Sequence, residues 1–402
     1  MDRIFRSLLH KNYALFWSSD LIASLGHSIE EIALYWMAYE ITGSAMALGV
    51  LGLCEAAPRL ALGAFGGALA DRYNRLRLLI TVQFLSAIPI FALALLYFLG
   101  VLEFWHILTL VLFWASFRSG SPSASQSLLR EIIPDSEIMN AVSLYTMGFN
   151  FARVIGPSLG GMLILWIGVG GCFLLYGVSL LTSGLIMFLI RTPRREAGRP
   201  GRTLLQEIGE GFQYIRRTPM ILGSIGAAYV ISVFLGTYQR FLPVFAKEVL
   251  RVGPRGLGAM MAAPAAGAIL FLLFLASAGD RIRSKILLWA TTLLAPGFLI
   301  LFCFSRSFLL SVGLLVFVGG AHTAFRTISR VIIQLNAPID LLGRVMSVFV
   351  MDQGMRSVGS LVIGAFVTLF GPPLGITFTS VTSLILTSAL LLKLLGGGQR
   401  AW

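Results

Sequence analysis

Residues 76–99 read LRLLITVQFLSAIPIFALALLYFL, a run of 24 residues in which Arg77, near its start, is the only charged residue. A bilayer core about 30 Å thick requires roughly 20 apolar residues of helix to cross it. This run is therefore long enough for one membrane-spanning helix. The proline within it, Pro89, is tolerated in such helices.

Eleven further stretches of the same kind flank this one, joined mostly by short loops. The twelve predicted helices, numbered 1 to 12 in chain order, lie at about 14–39, 44–70, 76–99, 104–127, 138–166, 168–190, 220–246, 255–278, 284–305, 308–335, 345–369 and 373–394. The composition agrees, because 57% hydrophobic and 12% charged residues lie outside the range of ordinary soluble proteins. The sequence therefore predicts an all-α polytopic membrane protein with twelve transmembrane helices.

The net charge of +13 is distributed asymmetrically along the chain. If both termini are cytoplasmic, the segments on that side carry 20 Lys and Arg residues, whereas the outer loops carry four. An excess of basic residues marks the cytoplasmic side of membrane proteins. We therefore interpret the basic residues as a topology signal and not as a nucleic-acid-binding surface. These residues also contact anionic membrane lipids. The predicted location is the cell membrane (inner or plasma membrane).

The two halves of the chain resemble each other. A shift of 204 residues places Gly160 on Gly364, and the long polar segment 191–219, with a predicted surface helix near 204–215, separates the halves. The predicted regions are an N-terminal six-helix bundle (1–190), a cytoplasmic linker (191–219) and a C-terminal six-helix bundle (220–402). Two such halves in one orientation are typical of a transporter that alternates access to a central site.

Several motifs resemble signatures of the major facilitator superfamily. Residues 67–77 (GALADRYNRLR) are similar to its loop 2–3 signature, and residues 156–161 (GPSLGG) are similar to the core of its antiporter motif. Runs at 40–45, 242–245 and 343–347 resemble the exporter branch that holds the enterobactin exporter and macrolide-efflux proteins. The resemblance spans essentially the whole chain. It implies a secondary transporter, which we expect to be a monomer without a cofactor.

The resemblance also implies a set of gating residues. Asp71 would accept N–H groups at a neighbouring helix N-terminus and lock the two halves in an outward-open state. The alternative is that the basic residues after Asp71 only set the topology. In the antiporter motif small residues allow close backbone approach and Pro157 kinks the helix, so a packing role is open for each glycine; Arg153 is either gating or structural. The predicted gating residues are Asp71, Arg72, Arg75, Asp280, Arg281, Arg344, Arg153, Gly156, Pro157, Gly160 and Gly161.

Away from the helix ends, seven arginines and five acidic residues fall inside the predicted membrane helices. Each would cost roughly 2.5–3.5 kcal/mol at the bilayer centre, so these side chains must face protein, water or one another. Glu55 and Arg59, like Asp352 and Arg356, are spaced i,i+4, which predicts two structural ion pairs. Arg240, near the outer end of helix 7, can extend toward the lipid headgroups.

Helix 1 carries the candidate proton-coupling residues, which are Glu30, Glu31, His27 and Asp20. His27 lies within i,i+3 and i,i+4 reach of the two glutamates. Desolvation disfavours the charged form of a carboxylate, so a buried acid can bind a proton near neutral pH, and histidine does so unaided. The alternative for His27, and for His322 of helix 10, is a hydrogen-bonded histidine of the core.

The candidate substrate-binding residues are Arg118, His322, Arg326, Arg330 and Tyr238. Three of them recur every four residues along helix 10, and by resemblance helices 1, 4, 7 and 10 line the central cavity. Arg118, Arg326 and Arg330 have no nearby counter-ion in the sequence, which predicts an anionic or zwitterionic substrate. The competing explanation is that these arginines pair with Glu30, Glu31 or Asp20 across the cavity.

Motifs for nucleotide binding or hydrolytic catalysis are absent from the sequence, and its three cysteines have no metal-ligand spacing. We therefore expect a transporter and not an enzyme, driven by an ion gradient or by the gradient of its substrate. The predicted function is proton-coupled efflux of a small amphipathic or anionic molecule, such as a drug or a siderophore. The alternative is a flippase for an anionic lipid. The paired gating loops argue against a channel.

Overall fold

The computed structural model describes residues 5–72, 74–134, 137–191, 212–216, 218–278 and 284–395. These residues are mainly helical and include no β-strand. A short 3₁₀-helix at Arg6–Leu9 precedes the first α-helix. The main helices are α1 (Lys11–Thr42), α2 (Ala45–Arg72), α3 (Arg75–Phe98), α4 (Phe104–Arg118), α5 (Ser121–Ile132), α6 (Ile138–Phe188), α7 (Pro219–Phe234), α8 (Gly253–Ala278), α9 (Ser284–Phe304), α10 (Phe308–Asn336), α11 (Ile339–Val350), α12 (Asp352–Phe370) and α13 (Pro372–Leu395).

Much of the described chain is long and apolar enough to cross a bilayer. Seven segments meet this criterion: Arg75–Phe98, Ile138–Phe188, Pro219–Val249, Gly253–Leu275, Leu287–Phe304, Phe308–Asn336 and Pro372–Lys393. Three shorter apolar helices are Ala45–Pro58, Phe104–Arg118 and Gly354–Phe370. The prediction of an all-helical membrane protein is confirmed.

The chain forms two compact units. The first consists of Met1–Gly43, Cys54–Pro200 and Val252–Ala262, and the second consists of Ser44–Leu53, Gly201–Arg251 and Ala263–Trp402. In the first unit α1 packs along α6, and α3 packs against α4 and α6. In the second unit α7 packs against α12 and α13, and α9 packs against α10 and α13.

Predicted helices 4 and 11 are interrupted, which corrects their predicted bounds. Predicted helix 4 (104–127) ends at Arg118 and resumes as α5, whose first turn holds a proline where the missing N–H costs no hydrogen bond. Predicted helix 11 (345–369) begins earlier, at Ile339, and breaks at Met351. There the Tyr229 hydroxyl donates to the carbonyl oxygen of Val348 at 2.7 Å, and a side chain that bonds the backbone in this way accommodates a kink.

Predicted helix 7 (220–246) is also discontinuous. After α7 the chain continues as a 3₁₀-helix (Tyr238–Phe241), a short α-helical turn (Leu242–Val244) and a π-helix (Phe245–Val249). Gly236 permits the change of direction, because an added Cβ there would lie 2.8 Å from the carbonyl oxygen of Ser232. Such breaks are tolerated in a membrane helix where the freed backbone groups are covered by protein.

Single glycines make two of the helix connections. The two helices of α6 meet at Gly168, with φ 71° and ψ 175°. α12 and α13 meet at Gly371, with φ 80° and ψ 164°. This region of backbone space is accessible essentially to glycine alone. The predicted ends of helices 5 and 6, at 166 and 168, agree with the first of these turns.

Small residues bring α6 close to its neighbours in the first unit. An added Cβ would lie 2.4 Å from Ser28 at Gly156 and 2.5 Å from Ile32 at Gly160. Gly161 approaches the start of α8 in the same way, since its Cβ would lie 2.5 Å from a backbone carbonyl oxygen. Glycine is the residue that permits such backbone contacts. The structure therefore gives these three residues of the antiporter motif a packing role.

Candidate functional site

Four acidic residues lie within α1, and three of them are candidate proton-coupling residues, whereas Glu40 is exposed near the end of the helix. Asp20 is near the first third of the helix, and Glu30 and Glu31 are in its second half. Glu30 is buried and Glu31 is half-buried, as expected of successive positions on a helix. The Nδ1 atom of His27 lies 3.1 Å from Oε2 of Glu30. The predicted contact between His27 and the helix 1 acids is confirmed for Glu30.

The imidazole ring of His27 packs against two aromatic rings from other helices. Its centroid lies 5.1 Å from that of Trp114 in α4 and 5.6 Å from that of Tyr176 in α6. The indole N–H of Trp114 donates to the Tyr176 hydroxyl at 3.2 Å. Sequence reasoning missed both aromatic residues. A signal was present for Trp114, which precedes Arg118 by four residues and therefore shares its helix face.

Asp20 and Arg118 form a second polar group in the first unit. The Asp20 carboxylate interacts electrostatically with the Arg118 guanidinium, and Ser24 lies close to it. Nη1 of Arg118 lies 3.4 Å from Oε1 of Gln83, and its Cζ lies 5.6 Å from the Trp114 ring. Asp20 and Arg118 are both half-buried. For Arg118 this electrostatic interaction agrees with the competing explanation, in which an acid of helix 1 offsets its charge.

Glu55 is a buried acid with a tyrosine partner. The Tyr35 hydroxyl donates to Oε2 of Glu55 at 2.9 Å, which joins α1 to α2. The side chain of Arg59, its predicted i,i+4 partner, lies outside the described residues. The predicted Glu55–Arg59 ion pair therefore stays a prediction.

Asp352 is the buried acid of the second unit, with no exposed surface. Both terminal nitrogens of Arg326 donate to its carboxylate, Nη2 at 3.2 Å from Oδ1, and the Ser232 hydroxyl donates to Oδ2 at 2.8 Å. The predicted pair of Asp352 with Arg356 therefore stays a prediction. Arg326, which has no counter-ion nearby in the sequence, has Asp352 as its counter-ion in the fold.

The other predicted substrate-binding residues of the second unit differ in exposure. On α10, His322 is half-buried, and Arg330 is exposed six residues before the helix ends. Tyr238 is buried in the 3₁₀-helix that follows α7. Of the predicted substrate-binding residues in this unit, Arg326 is the one that the structure places against Asp352 in the described residues.

Arg240 was predicted to extend toward the lipid headgroups. The structure shows instead that its side chain forms hydrogen bonds within the protein. Its Nη1 donates to the carbonyl oxygen of Gly52 at 3.2 Å and to the Ser360 hydroxyl at 2.5 Å. The break after α7 turns this side chain toward α2 and α12. An added Cβ at Gly52 would lie 2.4 Å from the same nitrogen, so glycine makes the room for it.

The predicted gating residues are only partly described. Those outside the described residues, in whole or in their side chains, are Asp71, Arg72, Asp280, Arg281 and Arg344. Arg75 forms an ion pair with Glu131 of α5 within the first unit. Arg153 is exposed, and its Cζ lies 5.8 Å from the Phe149 ring. The latch centred on Asp71 therefore stays a prediction.

The chemistry available in the described parts of both units is that of ion pairs, hydrogen bonds and protonation. Among the described residues no group of three or more His, Cys, Asp or Glu is placed to hold a metal. Carboxylates and imidazoles bind protons, and guanidinium groups bind carboxylates, all reversibly. These groups suit the binding and release of protons and organic solutes.

Comparison with known proteins agrees with the fold and with the sequence signatures. The chain is 26% identical to the staphyloferrin A transporter of Staphylococcus aureus, over 89% of either protein, and 26% identical to the multidrug efflux pump Tap of Mycolicibacterium fortuitum, over 82% of either. The crystal structure of the nucleoside transporter NupG has the same fold, with a TM-score of 0.74 at 12% identity, over 94% of this chain and 98% of that one. Residues 4–395 match the family model described as transmembrane secretion effector. This chain therefore belongs to the transmembrane secretion effector family of the major facilitator superfamily.

Proposed function

We propose that this protein is a secondary active transporter that exports a small amphipathic or anionic molecule, such as a drug or a siderophore, in exchange for protons. Its relatives include a staphyloferrin A transporter and a multidrug efflux pump, which supports export of such molecules. The proposal includes twelve transmembrane helices in two bundles, 1–190 and 220–402, joined by a cytoplasmic linker at 191–219. The protein acts as a monomer in the cell membrane, with both termini in the cytoplasm.

The placement of ionisable groups along α1 carries this proposal. Glu30 is buried beside His27, and Asp20 lies near Arg118. Charged groups are expensive at this depth of a membrane protein and are typical of ion and proton pathways. We therefore assign proton binding to this group of α1 side chains, with Glu30 and Glu31 as its principal acids.

Protonation at α1 would change which conformation is favoured. When Asp20 is deprotonated, its negative charge attracts the Arg118 guanidinium. When Asp20 is protonated, it is neutral and this attraction is weaker. A ligand shifts a conformational equilibrium only by its difference in affinity for the two states. In this mechanism the proton and the substrate favour opposite transitions between inward-facing and outward-facing states, which produces exchange.

The gating residues complete this mechanism as a proposal. Asp71, with Arg72 and Arg75, would hold the cytoplasmic ends of the two bundles together near Arg344 in the outward-open state. In the sequence of the second half, Asp280 and Arg281 correspond to Asp71 and Arg72 and would have the same role. Protonation and substrate binding would then both shift the equilibrium between the closed and open forms of this latch.

Uptake into inside-out vesicles tests the proposal. Vesicles with an imposed pH gradient would be supplied in turn with cationic drugs, macrolides and anionic siderophores. We expect uptake of at least one compound, and we expect an uncoupler to abolish it. Uptake that is insensitive to the uncoupler would contradict proton coupling, and vesicles from cells that lack the protein supply the background.

The lipid-flippase alternative is not favoured. It predicts changes in outer-leaflet lipid composition without drug resistance. The two relatives named above are a staphyloferrin A transporter and a multidrug efflux pump, so they support export of soluble or amphipathic small molecules instead.

A further inference from the structure

An exposed arginine lies at the middle of the first helix of α6. Arg153 is fifteen residues from Ile138, where α6 begins, and fifteen from Gly168, where this helix ends. At 1.5 Å of rise per residue it is about 22 Å from either end, which is mid-depth in a bilayer. Among the described residues Arg153 has no ion-pair partner, and its side chain is exposed.

The exposed side of Arg153 must face water and not lipid. An arginine facing lipid at this depth would cost roughly 2.5–3.5 kcal/mol or more. This cost places the exposed side of Arg153 toward a water-filled space.

Arg153 differs in this respect from the arginines that were predicted to bind substrate. Arg118 interacts electrostatically with Asp20, and Arg326 is held by Asp352. Arg330 is exposed, but it lies six residues from the end of α10, where a long side chain reaches the headgroup region. Of these four arginines, Arg153 alone combines exposure, mid-membrane depth and the absence of a described carboxylate partner.

Two neighbours on the same helix extend the polar surface of Arg153. Phe149, four residues earlier, is 45% exposed, and the Arg153 Cζ lies 5.8 Å from its ring. Asn150, three residues earlier, is half-buried, and its amide forms no hydrogen bond among the described residues. Residues three and four apart are neighbours on a helix surface. A guanidinium group, an amide and an aromatic face thus lie side by side.

We propose that Arg153, Asn150 and Phe149 form a substrate subsite for an aromatic carboxylate or phenolate. The guanidinium binds the carboxylate through two parallel hydrogen bonds, the Asn150 amide hydrogen-bonds a ring substituent, and the ring of the ligand packs against Phe149. This inference rests on the proposed function and deepens it by naming the charge and shape of the substrate. It moves the anion-binding role from Arg326 to Arg153.

Equilibrium binding to the purified full-length protein in detergent tests this subsite. The probes are salicylate, an aromatic carboxylate, and salicylamide, its uncharged analogue. A hydrogen-bonded charge contact contributes about 1.5–3 kcal/mol, so we expect Arg153→Gln to weaken salicylate binding roughly tenfold or more and to leave salicylamide binding nearly unchanged. Arg153→Lys should retain part of the preference, and Phe149→Leu should weaken the binding of both probes.

The control is Arg130→Gln, which removes the same charge from an exposed arginine in the same unit. We expect this variant to bind both probes as the wild type does. Failure of the wild type to prefer salicylate would overturn the inference, as would equal losses in Arg153→Gln and Arg130→Gln. If Arg153→Gln does not fold, Arg153→Lys and Phe149→Leu decide the question. The measurement uses no proton gradient, so its failure is distinct from a failure of proton coupling in vesicles.

Discussion

At the scale of single residues, the side chains of Arg326 and Ser232 stabilise the charged carboxylate of Asp352 inside the protein. Removing Arg326 would leave a fully buried carboxylate without its cation, which typically costs about 3–5 kcal/mol. We therefore expect Arg326→Met to lower the thermal unfolding temperature in detergent. The double variant Arg326→Met with Asp352→Asn should recover most of the loss, because it keeps an acceptor for Ser232 without the charge. A double variant less stable than the single one would contradict the ion pair.

The acids of α1 allow a separate prediction about energy coupling. Replacing both Glu30 and Glu31 with Gln should abolish gradient-driven uptake into vesicles, because neither side chain can then bind and release a proton. Expression and substrate binding should remain measurable. The matched control is Glu40→Gln, which alters an exposed acid near the end of the same helix. Wild-type pH dependence in the double variant would instead assign the coupling to Asp20 or His27.

Contacts within one helix were predictable at this scale, and contacts between helices were not. His27 and Glu30 are three residues apart, so the helix itself places them together. Arg326 and Asp352 meet because α10 and α12 pack, which no local spacing encodes. The same holds for Tyr176, which reaches His27 from a helix distant in sequence. Spacing along the sequence therefore could not predict Arg326 as a partner of Asp352.

At the scale of elements, the close approach of α1 and α6 makes a prediction about glycine. An added Cβ at Gly160 would lie 2.5 Å from Ile32 and 3.1 Å from the backbone of Ile29. Overpacking of this kind costs about 1–3 kcal/mol, so Gly160→Ala should unfold at a lower temperature than the wild type. Gly297→Ala in α9 is the control, because its Cβ meets nothing within 4 Å. Equal effects of the two substitutions would contradict the packing role.

Helix existence was predictable from hydropathy, and helix continuity was not. Apolar runs of about 20 residues predicted most elements to within a few positions. The breaks at Met351 and after α7 lie inside predicted helices, beside Asp352 and Arg240, and a charged residue within an apolar run does not by itself show that the helix is broken there. They depend instead on bonds from other helices, such as that from Tyr229 to Val348. In predicted helix 4, Gly120 and Pro122 were a usable local signal.

At the scale of the whole molecule, the distribution of basic residues makes a prediction about orientation. Because the proposed cytoplasmic segments carry 20 Lys and Arg residues and the outer loops four, both termini should lie inside the cell. A fluorescent protein fused to the C-terminus should therefore fluoresce, and alkaline phosphatase fused there should be inactive. Phosphatase fused after Arg306, in a predicted outer loop, should be active. The reverse pattern would contradict the proposed topology.

The turns at Gly168 and Gly371 have a consequence for the genetics of this protein. A single base change in a glycine codon yields Ala, Val, Ser, Arg, Cys, Asp, Glu, Trp or a stop, and each of these residues has a Cβ. The backbone region that both turns occupy is essentially closed to such residues. At Gly371 no atom lies within 4 Å of an added Cβ. Its sensitivity to substitution therefore comes from its backbone conformation and not from steric crowding. Loss-of-function screens should therefore recover missense alleles at both codons, although neither turn lies among the proposed proton or substrate residues.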